Sequence, residues 1–284
     1  MACVPGRFLL PLITVMIAGA TLLFSPVSAS AQGTAPTQSK PEMRESCPGL
    51  VASRPMDRGI VRKVALAGDE ARLTYIGHAT FLIESSRLVR IATDYNDYVR
   101  PPVLPDIITM NRAHSTHYTL SPDPAIKHVL RGWMEDGSPA RHDVQVQDVR
   151  VRNVPTNIRD YAGGTARNGN SIFIFEIGSL CIAHLGHLHH TLTQQQLDDI
   201  GRLDAVMFPV DGSVTLDSDG MLEVLQALKA PVMIPMHAFS AITLNSFLDR
   251  ARRLWTVEAA EVPSVVLSKS TLPATPKVLV LPGR

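Results

Sequence analysis

Residues 180–190 read Leu-Cys-Ile-Ala-His-Leu-Gly-His-Leu-His-His. The run opens with an apolar segment, residues 180–183, that has the length and composition of a buried β-strand. Four histidines follow within seven residues, and packing alone does not explain so many imidazoles in one loop. Because Leu185 and Leu188 are apolar, we interpret the loop as partly buried and metal-binding, with a surface tract of incidental metal affinity as the alternative.

Short apolar runs of the same kind recur along the chain and predict an α/β fold. Most are rich in Val, Ile and Phe and are bounded by turn residues, which is typical of strands. The predicted strands are 71–76, 81–84, 89–92, 107–110, 144–151, 171–175, 180–183, 205–209, 232–235, 265–267 and 278–281. The predicted helices are 124–134, 193–202, 218–228 and 244–255. This order favours sheets packed face to face with helices outside.

The N-terminal segment differs from the rest of the chain. Arg7 precedes an apolar stretch, residues 8–24, and small residues at 27–31 fit a cleavage site. We predict a signal peptide over residues 1–31, with an uncleaved membrane anchor as the alternative. Four prolines among polar residues predict a linker or N-terminal arm over 32–58, so one folded domain spans 59–284. The mature protein is expected in the periplasm or secreted, without a membrane segment.

Charge and cysteine content narrow the classes of partner. The 27 Lys and Arg residues nearly balance 26 Asp and Glu residues, and aromatic residues make up 5% of the chain. This composition lacks the basic stripe of a nucleic-acid binder, so we expect a small-molecule substrate. Cys47 and Cys181 form a candidate disulfide in an oxidising compartment, although Cys181 fits equally well as a buried apolar residue.

Histidines also follow two other predicted strands. His114 and His117 lie three apart on the loop after residues 107–110, and His237 ends the strand that begins at Val232. Each alone is compatible with a solvated or core histidine. Together with the histidines of residues 184–190 they are predicted to converge on one metal site, suited to zinc, iron or manganese.

Asp94 follows the strand 89–92 and has three open interpretations. It is a metal ligand, a partner that orients a ligating imidazole, or a turn residue, and we favour the partner role.

The order of these motifs resembles the metallo-β-lactamase superfamily, in its ascorbate-6-phosphate-lactonase-like branch of zinc-dependent hydrolases. The resemblance covers residues 61–284. The Gly77-His78-Ala79 segment looks like the one that opens this branch, and Asp94 is placed like its first strand-end aspartate. Residues 112–117 are partly similar to the His-x-His-x-Asp-His signature. Residues 184–187 resemble His-x-Gly-Asp, and His237 matches the terminal histidine.

Several positions depart from the pattern that the resemblance implies. Arg112 and Thr116 stand where the first histidine and the aspartate are expected, and His187 stands at the bridging aspartate. The middle histidine is absent near residues 155–157, and we assign Asn157 to that position. Losing the aspartates weakens the case for two zinc ions. One ion held by three or four imidazoles from His114, His117, His187 and His237 is the simpler interpretation.

The resemblance implies a four-layer αβ/βα sandwich and an exported metal-dependent hydrolase. Zinc-activated water would attack a small ester, lactone or phosphodiester, and Arg112 would steady an anionic group or form a surface salt bridge. The base that orients the water would be Asp94, His78, His189 or Asp211, and His184 is a further candidate site residue. The alternatives are a non-catalytic metal-binding protein and an iron or manganese redox enzyme. β-Lactam hydrolysis is not expected.

Overall fold

The computed structural model describes residues 66–160 and 162–283, and these form two β-sheets with three α-helices. The strands are β1 (Ala71–Gly77), β2 (Thr80–Ser85), β3 (Arg90–Ala92), β4 (Ile107–Met110), β5 (His128–Arg131), β6 (Asp143–Val146), β7 (Val149–Arg159), β8 (Thr165–Ile177), β9 (Leu180–His184), β10 (Ala205–Pro209), β11 (Val232–Met236), β12 (Thr256–Ala259), β13 (Ser264–Leu267) and β14 (Lys277–Val280). The helices are α1 (Gln194–Ile200), α2 (Ser218–Leu228) and α3 (Ala241–Ala251). The predicted signal peptide and the arm at 32–58 lie outside the described residues.

The strand order brings two groups of parallel strands together. One sheet has six strands in the order β13-β1-β2-β3-β4-β5, with β3, β4 and β5 parallel to one another. The other has eight strands in the order β12-β14-β11-β10-β9-β8-β7-β6, with β9, β10 and β11 parallel. Loops that follow neighbouring parallel strands meet at one edge of a sheet, and this geometry gathers side chains for a site.

Side-chain alternation along the strands builds a core on each face of the larger sheet. In β8, Phe173 and Phe175 pack into a cluster shared with β1, β2 and β3 of the smaller sheet. Ile172 and Ile174 point the other way and pack against the apolar faces of α1, α2 and α3. The period of two that separates these pairs is the geometry of a pleated strand. The predicted α/β sandwich is therefore confirmed.

The outer face of the smaller sheet is covered without a helix among the described residues. Ala92, Ile108 and Met110 pack there against Tyr95, Ile126 and Trp133 from connecting segments. A fourth layer is thus present, but it consists of loops on this side of the sandwich.

The helix predicted at 124–134 is wrong, because its middle forms β5. Residues 128–131 pair in parallel with β4, from Ile107 with His128 to Met110 with Arg131. Helical propensity is a weak preference, and pairing with the open edge of β4 overrides it. The other three helices are confirmed, and Thr193 forms the predicted capping box at the start of α1.

Two further features concern membrane-spanning helices and Cys181. Among the described residues, no helix has the length and apolar character needed to cross a membrane. Cys181 is buried in β9 and is disulfide-bonded. Pairing with Cys47 stays a prediction.

A buried ion pair links the larger sheet to α1 and yields a test of the fold. Arg152 Nε donates to Glu176 Oε1 at 2.7 Å, and its other nitrogens donate to the carbonyls of Asp199 and Ile200. Glu176 is 1% exposed and also pairs with Arg150 at 3.2 Å, so removing Arg152 leaves a buried charge that is only partly compensated. We expect Arg152→Met to lower the free energy of unfolding by about 3 kcal/mol in urea titrations.

The matched control is Arg252→Met, since Arg252 pairs with Asp249 through exposed side chains. That change should alter stability by less than about 1 kcal/mol. Equal losses in the two variants would contradict a structural role for the Arg152 pair.

Candidate metal centre

Most of the polar side chains singled out in the sequence lie just after the strands that run parallel. Asp94 follows β3, His114 and His117 follow β4, and His237 follows β11. The remaining candidates at strand ends are His78, between β1 and β2; His184, His187 and His189, at and after β9; and Asp211, after β10.

Four imidazoles converge in one place. The ligating nitrogens of His78, His114, His117 and His237 all lie within 4.8 Å of one another. The Nε2 atoms of His117 and His237 are 3.1 Å apart, and both side chains are fully buried. His187 reaches the same cluster, because its Nε2 lies 3.1 Å from that of His114.

Asp94 lies behind His117 and orients its ring. His117 Nδ1 donates to Asp94 Oδ2 at 2.6 Å, and Asn111 Nδ2 donates to the other carboxylate oxygen at 2.9 Å. Burial raises the pKa of Asp94 to about 6 against the lowering effects of His184 and Asn111, so the group is ionised at neutral pH. Burial holds the pKa of His117 well below its ordinary value, which keeps this imidazole neutral.

Asp211 occupies the equivalent position behind His237. Its Oδ2 lies 3.0 Å from His237 Nδ1, an ion-pair distance at which the ring N–H is not well aligned with the oxygen. Its Oδ1 accepts hydrogen bonds from the backbone amides of residues 213, 214 and 215. Burial raises the pKa of Asp211, but the pairing with His237 and the bonds from Thr215 and Ser213 outweigh it and hold the pKa well below its usual range.

The donor set fits a bound cation. A carboxylate faces the Nδ1 of both His117 and His237, so each ring turns its Nε2 toward the other. With both ring protons on Nδ1, where the carboxylates favour them, two nitrogen lone pairs face each other at 3.1 Å and repel unless a positive charge lies between them. Ligands at about 2.05 Å in a tetrahedral zinc site are separated by about 3.3 Å, close to the observed spacing.

Thr116 joins two of the imidazoles in place of the aspartate that the resemblance leads one to expect. Its Oγ1 lies 2.7 Å from His114 Nδ1 and 2.9 Å from His78 Nε2. A hydroxyl has one proton, so it donates to one ring and accepts from the other. Burial lowers the pKa of His78 to about 3 and also lowers the pKa of His114, with the nearby His237 contributing to both shifts.

His187 and His189 form a second pair of rings beside the cluster. His187 Nδ1 and His189 Nε2 are 2.6 Å apart, and the backbone N–H of Arg159 donates to His189 Nδ1 at 2.8 Å. Burial, together with the His117 imidazole, holds the pKa of His187 far below its ordinary value. Burial and the Arg159 charge lower the pKa of His189 to about 4. Both rings are therefore neutral at neutral pH.

His184 has both ring nitrogens engaged by the protein backbone. Its Nε2 donates to the Ala79 carbonyl at 2.8 Å, and its Nδ1 accepts from the Gly186 N–H at 3.1 Å. Neither nitrogen is left for a ligand, so this histidine ties the loop after β9 to the turn before β2.

Three non-glycine residues of the site have left-handed backbone conformations. His78, Asp94 and His237 have φ values of 51°, 41° and 58°. Such conformations cost on the order of 1 kcal/mol each and persist where the surrounding structure enforces them. Two of these residues are linked directly, because the N–H of His237 donates to the His78 carbonyl at 2.8 Å.

Arg112 and Asn157 lie apart from the converging rings. Arg112 is about half exposed and pairs loosely with Glu135 at 3.9 Å, which is the surface salt bridge foreseen as its alternative role. Asn157 is exposed at an irregularity in the pairing of β7 with β8, and it accepts a hydrogen bond from the Asn168 N–H. These contacts place neither side chain against the histidines.

Two buried asparagines support the site and were not foreseen. Asn111 Oδ1 accepts from the Ser171 N–H at 2.7 Å while its Nδ2 holds Asp94, so it connects the two sheets. Asn170 Oδ1 accepts from the His187 N–H at 2.8 Å. The position of Asn111 directly after a buried strand was an available signal, whereas Asn170 lies within a long strand and gave none.

Comparisons with known proteins agree with this geometry. A family model described as the beta-lactamase superfamily domain matches residues 72–237, which is more than half of the chain. A UPF0173 metal-dependent hydrolase of Methanoculleus marisnigri is 25% identical over 190 residues, covering 61% of this chain and 84% of that protein. A second UPF0173 metal-dependent hydrolase, from Thermoplasma acidophilum, is 25% identical over 189 residues, covering 60% and 84%.

Two solved structures share the architecture. One is a Thermotoga maritima protein assigned to the zinc-dependent hydrolases of the metallo-β-lactamase superfamily, with 26% identity and a TM-score of 0.55, covering 75% of this chain and all of that one. The other is the metallo hydrolase Igni18 of Ignicoccus hospitalis, with 18% identity and a TM-score of 0.53, covering 70% and 99%, and it supports the fold alone. With the matched span running from β1 to His237, the chain belongs to the beta-lactamase superfamily.

Proposed function

We propose that this protein is an exported metal-dependent hydrolase that binds one zinc ion through His114, His117 and His237. The observation that carries the proposal is the pair of Nε2 atoms 3.1 Å apart, each on a ring with a carboxylate at its Nδ1. Carboxylates in this position fix ring orientation and increase the basicity of ligating histidines. Relatives at 25% identity are named metal-dependent hydrolases, which agrees with this chemistry.

A bound zinc ion lowers the pKa of water from near 16 toward 7 and polarises a carbonyl or phosphoryl oxygen. All four groups predicted as the base, Asp94, Asp211, His189 and His78, have an acceptor atom engaged in a hydrogen bond. His78 lies among the ligand nitrogens, and its ring is 4.1 Å from that of His237 between centroids. We assign the proton-accepting role to His78 because it is the one of the four whose ring nitrogen lies among the ligand nitrogens.

The substrate we propose is a small ester, lactone or phosphodiester, as in the ascorbate-6-phosphate-lactonase-like branch. The position of Phe239 favours a substrate that carries an apolar group. Its ring lies 5.2 Å from His237 and 6.3 Å from His78 between centroids, and it is 56% exposed. An exposed aromatic face beside the ligands offers a surface for packing.

Export is supported by the disulfide bond of Cys181, because such bonds persist in oxidising compartments. The exposed fraction of Cys181 is 1%, so a reductant reaches it poorly.

The first test is elemental analysis of protein purified without added metal or a histidine tag. We expect about one zinc per chain. His114→Ala and His237→Ala should each lose the metal, and His142→Ala, whose ring contacts the Arg131 carbonyl, is the matched control that should retain it. Unaltered metal content in both site variants would overturn the ligand set. Iron or manganese would favour the redox alternative, and loaded protein inert toward ester, lactone and phosphodiester panels would favour a non-catalytic metal-binding role.

The lowered pKa values predict how the stability of the metal-free protein depends on pH. The pKa values of His78 and His189 fall to about 3 and about 4 in the folded state, from 6.5. Below pH 6.5 the unfolded chain therefore binds protons that the folded chain does not, and stability falls as pH falls. Asp94 acts in the opposite direction below pH 6, but it is one group against several histidines.

We expect the urea midpoint of the metal-free protein to decrease steadily from pH 7 to pH 5. His189→Gln should reduce this dependence on pH because it removes one of the histidines whose pKa is lowered in the folded state. A midpoint that stays level or rises on acidification would show that the rings are not held neutral in the folded state.

The role of Phe239 can be tested with a series of esters of increasing acyl length. Phe239→Ala should lower kcat/KM most for the longest acyl chains, since each lost CH₂ contact is worth about 0.8 kcal/mol when fully buried. Leu88→Ala is the control, because it also removes an exposed apolar side chain. Leu88 is 45% exposed and lies in the turn between β2 and β3. A uniform loss across the series would argue against packing on Phe239.

A further inference from the structure

A chain of hydrogen bonds with one direction runs from β7 into the metal centre. It starts at the backbone N–H of Arg159, which lies 2.8 Å from His189 Nδ1. A backbone amide can only donate, so His189 Nδ1 has no proton. The ring is then neutral and its proton lies on Nε2.

The next contact transfers this constraint to His187. His189 Nε2 lies 2.6 Å from His187 Nδ1, and because it carries the proton it is the donor. His187 Nδ1 is therefore the acceptor, and the single proton of the neutral His187 ring lies on Nε2. A ring nitrogen that carries a proton has no lone pair to offer a metal ion.

The rest of the network agrees with the same direction. His187 Nε2 lies 3.1 Å from His114 Nε2, so His114 accepts there and carries its own proton on Nδ1. That proton points to Thr116 Oγ1 at 2.7 Å, and the hydroxyl then donates to His78 Nε2 at 2.9 Å. Each ring nitrogen along the chain has one role, and the Thr116 hydroxyl accepts from one ring and donates to the other, so no two donors or two acceptors face each other.

We propose that His187 is a hydrogen-bond donor of the active site and not a metal ligand. With the lone pair of His114 Nε2 held by a metal ion, the Nε2–H of His187 would be free to donate to the carbonyl or phosphoryl oxygen of the substrate. A neutral donor preorganised beside such an oxygen stabilises the negative charge that develops on it. This inference rests on the proposed function of the site.

His189 is a positioning residue in this arrangement. Its proton fixes the tautomer of His187, while the His187 N–H is held by Asn170 at 2.8 Å. The Arg159 end is anchored as well, because the Arg159 guanidinium donates to the carbonyl of Thr215. The donor direction at His187 is therefore set by one backbone group, the Arg159 N–H, acting through the His189 ring.

Nuclear magnetic resonance can measure the tautomers and ligands directly. In metal-free protein with ¹⁵N-labelled histidine, long-range ¹H–¹⁵N spectra should show a protonated Nε2 and a bare Nδ1 for both His187 and His189. After loading with ¹¹³Cd, scalar coupling to the metal should appear for His114, His117 and His237 and be absent for His187. A protonated Nδ1 on His187, or coupling between its Nε2 and cadmium, would overturn the proposal.

Variants separate donation from ligation. The zinc affinity of His187→Gln should stay within about tenfold of the parent protein, whereas His237→Gln should lose more than about 100-fold. His187→Gln should still lower kcat more than it changes KM, because the donor acts on developing charge. A loss of zinc affinity in His187→Gln as large as in His237→Gln would contradict the donor role.

The positioning role of His189 has its own readout. His189→Phe should give His187 a mixed or reversed tautomer in the ¹⁵N spectrum, and His189→Gln, which keeps an N–H group, should restore the protonated Nε2. His190→Gln is the control at the adjacent histidine and should leave the His187 signals unchanged. An unaltered His187 tautomer in His189→Phe would show that the hydrogen-bond chain from Arg159 does not set that tautomer.

These experiments distinguish failure of the proposed hydrolase function from failure of the donor role of His187. Protein that binds neither zinc nor cadmium overturns the metal-dependent hydrolase, whereas the tautomer of His187 in metal-free protein decides the donor role independently. If cadmium binds and couples to His187, the proposal of a metal-dependent hydrolase stands, and the donor role of His187 is rejected.

Discussion

The close approach of His117 Nε2 and His237 Nε2 is the constraint on which the site depends. Two bare nitrogens at 3.1 Å are unfavourable without a cation, and the protein enforces the contact with a buried carboxylate behind each ring. Asp94 comes from the smaller sheet and Asp211 from the larger one. The two sheets therefore have to pack in register for the two lone pairs to meet, so the core between them determines the metal geometry.

The packing around the site also explains why residues with left-handed backbone conformations occur there. His78, Asp94 and His237 have positive φ, and the amide of His237 is bonded to the carbonyl of His78. All three residues lie at or just beyond strand ends, and the packing of the strands around them stabilises conformations that would not persist alone.

The sequence predicted the sandwich and the strand ends well because both depend on local patterns. Short apolar runs bounded by turn residues marked nearly all strands, and the histidines after β4, β9 and β11 meet in space. The prediction of a helix at 124–134 was wrong because pairing with β4 is a long-range interaction. The placing of Asn157 and the supporting roles of Asn111 and Asn170 depend on contacts between sheets and on strand register, which no local pattern encodes.

Charge explains why this site suits one ion although the resemblance leads one to expect two. Asp94 and Asp211 supply two negative charges directly behind the ligands, and these balance one divalent cation. Thr116 and His187 stand where carboxylates would compensate a second ion, and both are neutral groups. A second divalent cation would therefore lie in a partly buried region with no matching charge, at an electrostatic cost. In the proposed function, the same substitutions would leave the field of one bound ion less screened, so that ion and the neutral donors around it would stabilise the charge that develops on a substrate oxygen.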